Sequence, residues 1–438
     1  MNYSDAKKVL EANGQGHVLD FWGKLGVKAR KSLLAQVATI DFMELSRCRS
    51  MLPTFACSKA EKPCAKRVAT PTAPKVAELK GKAYASAVAA GAKELSAGRV
   101  GVLLVAGGQG SRLGYEGPKG AYPIGPVTDK PLFHFHARKV LAKTLKYGKS
   151  VPFYVMTSEA NYEATVACFK ENGWFGLDRK DIFFFKQGMW PGMTEDGKII
   201  LDEPGHVFMS PDGHGGLLAA LKNSGALADM KKRGVKSVFF FQVDNPLVEI
   251  ADEAFIGYHV QSKSEYSLKL CAKRDPFEKV GMPMKFGNVC KMVEYTEMTD
   301  EQCNRKGKDG KLYFLYGSPA IHVFDRAFLE REAMKPMPLH LAHKKIAYLD
   351  ANGEVVKPSA PNAYKFEKFI FDILPDAKKV AFLAFDQKEE FSPVKNAEGA
   401  DSPATCKADM QAKWRRQLAE RGILINGGAV LEVDPCSL

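Results

Sequence analysis

The segment Leu103-Leu104-Val105-Ala106-Gly107-Gly108-Gln109-Gly110-Ser111-Arg112-Leu113-Gly114, with Pro118-Lys119-Gly120 just behind it, constrains the fold more than any other part of the chain. A strand-like apolar run, Val100 to Ala106, ends in a loop that carries four glycines and two cations. Glycine admits φ > 0 and lets main-chain N–H groups come close to a ligand. Arg112 and Lys119 can then neutralise whatever those N–H groups cradle. A polyphosphate, most simply a nucleoside triphosphate, suits that combination. Packing would explain glycines in a βα turn, but not an Arg and a Lys among them. The commoner phosphate motifs fail on residue identity. A dinucleotide fingerprint starting at Gly108 needs a glycine where Leu113 stands, and Gly148-Lys149-Ser150 would complete a Walker A loop only if Lys143 were glycine.

The chain has 438 residues, 45% of them hydrophobic and 26% charged, which suits one large α/β domain with one or two smaller pieces and excludes wholesale disorder. No apolar run approaches the ~18–20 residues of a membrane span, so no membrane partner is expected. The opening Met1-Asn2-Tyr3-Ser4-Asp5 lacks the charged and apolar regions of a secretory signal. Nine cysteines without a C-x-x-C pair fit the reduced thiols of a cytoplasmic protein. His134 with His136, and His340 with His343, lack a matching cysteine or carboxylate set and read as structural histidines. The net charge of +13 invites a nucleic-acid reading. Its placement argues against one: residues 1–93 hold 16 Lys/Arg against 7 Asp/Glu, with no basic helix interleaved with aromatics.

Residues 1–50 read as helical, and Pro53, Pro63, Pro71 and Pro74 mark an irregular, exposed crossing. A helix is expected from about Val76 to Ala97, stopped by Gly98. Buried-type runs recur at Val100–Ala106, Val151–Met156, Ile182–Phe185 and Val238–Val243, separated by helical or loop stretches. That alternation predicts a largely parallel sheet with helices on both faces. Ligands gather at the carboxyl ends of the strands in such a sheet. Asp244, which ends the last of these runs abruptly before Asn245-Pro246, therefore shares a rim with the glycine loop. There it either offers an oxygen to a phosphate-bridging Mg²⁺ or caps the turn. Pro211-Asp212-Gly213-His214-Gly215-Gly216 is a second glycine-rich turn, opening the helix from Leu217. Asn396 to Thr405 is polar and marks a boundary.

The glycine-loop block resembles the signature of the UDP-N-acetylglucosamine pyrophosphorylases, the UTP:N-acetylglucosamine-1-phosphate uridylyltransferases. Gly16 to Trp22, Phe185 to Met189, Pro211 to Gly216, Val243 to Asn245, Val293 to Tyr295, Phe366 to Asp372 and Phe391 to Asn396 follow in family order. The resemblance implies an α/β fold. Its centre is a Rossmann-like nucleotidyltransferase domain with a mixed, mostly parallel sheet over residues 98–396, after a mainly helical region 1–97 and before a small C-terminal unit 397–438. It implies that Val105, Ala106, Gly107 and Gly108 wrap the uridine nucleotide and that Gln187 and Gly213 hold the uracil. Lys119 would sit on the triphosphate with Arg112 beside the departing pyrophosphate, and Asp244 would serve the nucleotide and its Mg²⁺. Gly281, Glu294 and Tyr295 would line the sugar pocket, Lys365 would contact the nucleotide phosphates, and Lys395 the sugar phosphate. Arg112, Lys119 and Lys395 are thus the catalytic candidates, and UTP and a sugar 1-phosphate the partners. His214 and Ser318 stand where the eukaryotic enzymes of this family carry sugar-contacting asparagines. His214 makes its loop resemble that of the broad-specificity UDP-sugar pyrophosphorylases. The blocks around Glu367 and Lys395 favour the N-acetylglucosamine branch over the UDP-glucose branch.

Overall fold

The structure of the protein, a computed structural model, describes residues 1–60 and 71–438. These fall into two compact units. One comprises Met1–Arg67, Gly188–Gly216 and Met337–Ile370, the other Val68–Gln187, Leu217–Pro336 and Phe371–Leu438.

The second unit is built on an eight-stranded sheet. Its strands are β1 (Val100–Val105), β2 (Phe153–Thr157), β3 (Ile182–Lys186), β4 (Ser237–Gln242), β5 (Tyr266–Ala272), β6 (Tyr316–Gly317), β7 (His322–Asp325) and β8 (Val380–Phe385). The order is β6-β5-β7-β4-β1-β2-β3, with β8 pairing to β5. β4, β1, β2 and β3 run parallel, and β7 runs antiparallel between β4 and β5. The sheet is therefore mixed and mostly parallel, as expected. These strands read as unbroken apolar runs because both faces are covered. Alternate residues Val102, Leu104, Phe153, Val155, Phe239 and Phe241 share one core with Phe133, Ala137 and Val140 of helix Leu132–Tyr147 and with Phe255 and Ile256 of helix Glu253–Gln261.

Helix Gly81–Ser96 packs backbone to backbone on helix Glu253–Gln261. A Cβ on Gly91 would stand 1.9 Å from the Glu253 carbonyl oxygen, and one on Gly257 1.8 Å from that of Ala87. This helix starts five residues later than the sequence predicts. Residues 76–80 are extended instead, because Ala77 bridges in parallel to Leu383 of β8, a non-local pairing that local periodicity does not reveal.

The first unit buries Leu10, Val18, Leu33, Val37 and Leu45 against Met193, Leu201 and Phe366. Strand Ala363–Glu367 pairs there with His340–Lys344 and Met193–Thr194. Buried Gln15 ties the N-terminal helices in, donating to the Gly197 carbonyl at 3.0 Å and accepting from Ile199 N–H at 2.8 Å. The crossing expected at Pro53 needs correction, since helix Phe42–Ala60 runs through that residue. A proline removes one backbone donor and so costs a helix one ladder bond rather than its whole length. Pro63 lies outside the described residues, and Pro71 and Pro74 flank an extended stretch in which Thr72 bridges to Lys285. Among the described residues no helix is long and apolar enough to cross a membrane.

Candidate active site

β1 and β4 are neighbours, and Val243 N–H donates to the Val105 carbonyl at 3.1 Å just where both strands end. The glycine loop and Asp244 leave the sheet from these adjacent carboxyl ends. The loop is fixed mainly by its own backbone. Gly110 N–H donates to Gly117 O at 2.9 Å and Lys119 N–H to Gly108 O at 3.0 Å. Asn161, a fully buried residue that sequence reasoning missed, binds one further carbonyl and shares that of Gly108. Its Nδ2 donates to Ala106 O at 2.9 Å and Gly108 O at 3.2 Å, while its Oδ1 accepts Ser158 N–H at 2.8 Å.

The two leading glycines differ in what requires them. A Cβ on Gly107 would stand 2.2 Å from Gln187 Oε1, so any side chain there has to displace the Gln187 amide. A Cβ on Gly108 would meet nothing within 4 Å, and its φ is not positive. Neither packing nor backbone conformation demands that glycine, and its open face is accessible to a close-approaching ligand. An open cavity of about 460 Å³ borders the loop at Gln109, Ser111, Gly114 and Tyr115.

Lys119, Asp244 and Lys395 are brought together through one residue, Val394. Lys119 Nζ donates to the Val394 carbonyl at 3.3 Å, Val394 N–H donates to the Asp244 carbonyl at 2.8 Å, and Lys395 follows directly. Burial holds the Lys119 ammonium below the ordinary lysine value. Asp244 opposes that shift, while Arg112 and Lys395 add to it. Those influences place three cations and one carboxylate in a single electrostatic neighbourhood. Arg112 is exposed, whereas Lys119, Asp244 and Lys395 are half-buried. The Asp244 carboxylate makes no hydrogen bond or ion pair among the described residues, so it does not cap the turn before Pro246. A surplus of fixed positive charge in a partly desolvated rim is suited to a polyphosphate.

Three of the predicted sugar residues also meet in this unit. Ser318 N–H donates to Gly281 O at 2.9 Å, and a Cβ on Gly281 would stand 3.2 Å from Glu294 Oε1. Tyr295 is exposed at the start of the short turn that Glu294 caps. Gly213, His214 and Lys365 belong to the first unit. Gly213, with φ +80°, lies against the Lys368 backbone, where a Cβ would stand 2.5 Å from the carbonyl oxygen. The His214 ring stacks on Phe369, and its Nδ1 accepts Ile370 N–H at 3.1 Å. Lys365 lies 5.1 Å over the Phe208 ring, and burial lowers its pKa. Asp212, read in the sequence only as part of the second glycine-rich turn, is buried beside these residues. Desolvation pushes its carboxyl up to about 6, and its Oδ1 has no hydrogen-bond partner among the described residues.

The histidine pairs are structural where their contacts are seen. His136 Nε2 bonds the Val243 carbonyl at 2.9 Å with the ring fully buried, and His343 stacks on Tyr364. No group of three His, Cys, Asp or Glu side chains among the described residues could hold a metal. A larger cavity in the second unit, about 570 Å³, is lined by Lys139, Lys143, Glu249, Glu253 and Lys413. It borders none of the predicted site residues, and its charged groups are already engaged with the protein.

The family described as UTP–glucose-1-phosphate uridylyltransferase matches residues 55–401. The chain belongs to this family. A UDP-N-acetylhexosamine pyrophosphorylase-like protein 1 of Homo sapiens is 38% identical to it over 437 residues, 95% of this chain and 86% of that protein. A UDP-N-acetylglucosamine pyrophosphorylase of Saccharomyces cerevisiae is 34% identical over 98% of this chain and 94% of its own length. The crystal structure of a uridine diphosphate N-acetylglucosamine pyrophosphorylase from Trypanosoma brucei is similar with a TM-score of 0.81 at 26% identity, covering 96% of this chain and 87% of the other. The resemblance read from the glycine loop and its companion blocks is borne out by these matches, as is the nucleotidyltransferase fold it implied.

Proposed function

We propose that the protein transfers UMP from UTP to N-acetylglucosamine 1-phosphate, giving UDP-N-acetylglucosamine and pyrophosphate. The observation that carries this reading is the Lys119–Val394–Asp244 link at the rim. Among the described residues Arg112, Lys119 and Lys395 have no carboxylate ion-pair partner, and they stand beside a glycine that neither packing nor φ requires. A phosphate oxygen of the sugar ester attacks the α-phosphorus of UTP in line. A new P–O bond forms as the bond to the bridging oxygen of the pyrophosphate breaks, and pyrophosphate leaves with that electron pair. The attacking phosphate is already ionised at neutral pH, so no side chain need remove a proton. The chain's contribution is position and charge: Lys119 holds the triphosphate, Arg112 the departing pyrophosphate and Lys395 the sugar phosphate.

The residues present suit Mg²⁺. Asp244 offers a hard carboxylate oxygen with no partner among the described residues, and Mg²⁺ typically takes one or two carboxylates beside substrate phosphates and water. When bound, the ion would neutralise charge on the phosphate oxygens. Gln187 over Gly107 is the uracil contact of this unit, and Gly281, Glu294 and Ser318 form the sugar contacts. The resemblance assigns Gly213 and Lys365 to the nucleotide and His214 to the sugar. With reduced thiols and no membrane-crossing helix among the described residues, the proposed compartment is the cytoplasm.

A second reading, the same transfer to glucose 1-phosphate or to several sugars, is favoured by Ser318 and His214. The serine carries a hydroxyl where the family's asparagine presents an amide, and the imidazole Nδ1 is committed to Ile370 N–H. Pyrophosphate release measured with UTP, Mg²⁺ and a panel of sugar 1-phosphates separates the readings. The highest kcat/KM is expected with N-acetylglucosamine 1-phosphate. A preference for glucose 1-phosphate would establish the second reading, and no release with any sugar would leave a nucleotide or RNA binder.

A further inference from the structure

The stretch that follows Asp244 leaves the sheet and is buried, so its carbonyls have no strand partners and must be satisfied otherwise. Two lysines from distant helices do this. Lys139 Nζ, on helix Leu132–Tyr147, donates to Pro246 O at 2.6 Å and Val248 O at 2.7 Å. Lys413 Nζ, on helix Pro403–Glu420, donates to the carbonyl between them, Leu247 O, at 3.0 Å. Three successive carbonyls are thus held by two ammonium groups. Asn245 does the complementary work on the other side. It is 3% exposed, its Nδ2 donates to Glu390 O at 2.7 Å, and its Oδ1 accepts Ser392 N–H at 3.1 Å. Its side chain therefore supplies a rung between the Asp244 loop and segment 390–394, continuing the Val394-to-Asp244 backbone bond. That segment carries the Lys119 acceptor and is followed directly by Lys395.

We infer that Asn245, backed by Lys139 and Lys413, is the positioning device of the reaction, setting the register of Asp244 against Lys395. The inference rests on the roles proposed above for those two residues. None of the three touches substrate. Each acts through the backbone it holds, and misplacing a reacting group by about 1 Å is enough to cost about 100-fold in rate.

The test measures kcat at saturating UTP and sugar 1-phosphate, KM for UTP, and the melting temperature of the full chain. Asn245→Ala removes both side-chain bonds and is expected to lower kcat per folded molecule at least about tenfold, with KM for UTP within about threefold. Lys413→Met is expected to lower kcat in the same way, and Lys413→Arg, which keeps a donor, to restore most of it. A lowered melting temperature with unchanged kcat per folded molecule in both Asn245→Ala and Lys413→Met would overturn the inference. If Asn245→Ala yields no folded protein, the Lys413 pair decides alone. Asp244→Asn and Lys395→Ala are the controls. If these two are also near normal, the site reading itself has failed. If they are impaired while the positioning variants are not, only this inference has failed.

Discussion

Lys119 and Lys395 stand at the rim of the sheet with Arg112 and a single carboxylate, Asp244, and none of the four makes an ion pair among the described residues. Behind the same strand ends, Lys143, Lys269 and Lys413 are paired with acids of the chain itself. Lys143 meets Glu253 at 2.7 Å, Lys413 meets Glu249 at 3.3 Å, and Lys269 lies between Asp252, at 2.7 Å, and Glu390. Held by neighbouring lysines, the carboxyls of half-exposed Glu249 and buried Glu253 are lowered to about 2. The residue type is the same and the surroundings are opposite. Where the chain supplies both signs, the lysines hold loops and helices together. Where its positive charge is in surplus, as at the rim, the proposed function has the balancing charge arrive with the substrate.

That contrast is broken most severely at the rim. Lys119→Ala or Lys395→Ala is expected to lower kcat/KM at least ~100-fold, the scale of losing one preorganised charge contact, while the melting temperature stays close to that of the parent. Turnover near normal in both variants would remove the rim cations from the mechanism. The opposite pattern is expected behind the strands. Lys269→Met leaves Asp252 and Glu390 buried beside each other without their cation, a loss of about 3–5 kcal/mol by denaturant titration. Its activity per folded molecule should stay above that of Lys119→Ala.

Two smaller effects sharpen the comparison within the rim. Gly108→Ala should fold normally, since its Cβ meets nothing, yet raise KM for UTP about tenfold, or roughly 1.4 kcal/mol of lost contact. Gly107→Ala should instead displace Gln187 and lower stability. An unchanged KM in Gly108→Ala would show that no ligand approaches there. The pH dependence is the smallest effect. Because burial and the neighbouring cations lower the Lys119 pKa, its ammonium is lost as pH rises through a value below the ordinary 10.5. kcat/KM should fall along that basic limb, and Lys119→Arg, which stays protonated, should move the limb upward.

What the sequence made legible was local. β1 and β4 are buried runs ended by glycines or by Asp-Asn-Pro, and a rule about parallel sheets placed both ends on one rim. What it hid depends on distant partners. Asn161 reaches a glycine-loop carbonyl 55 positions away, and Asn245 a backbone N–H 147 positions away, and an asparagine in a polar turn gives no sign of either. The late start of helix Gly81–Ser96 has the same cause, since residues before it pair with β8. Pro53 misled for the opposite reason, because a rule about local geometry was given more weight than a single backbone bond warrants.

The central claim is that the unpaired cations beside Gly108 are completed by the phosphates of a uridine nucleotide. A crystal structure with UDP-N-acetylglucosamine bound tests it most directly. The diphosphate is expected against Gly108 and Lys119, with the sugar toward Gly281 and Glu294. Electron density for the ligand at the Lys139–Lys413 cavity, or anywhere else away from that glycine, would contradict it.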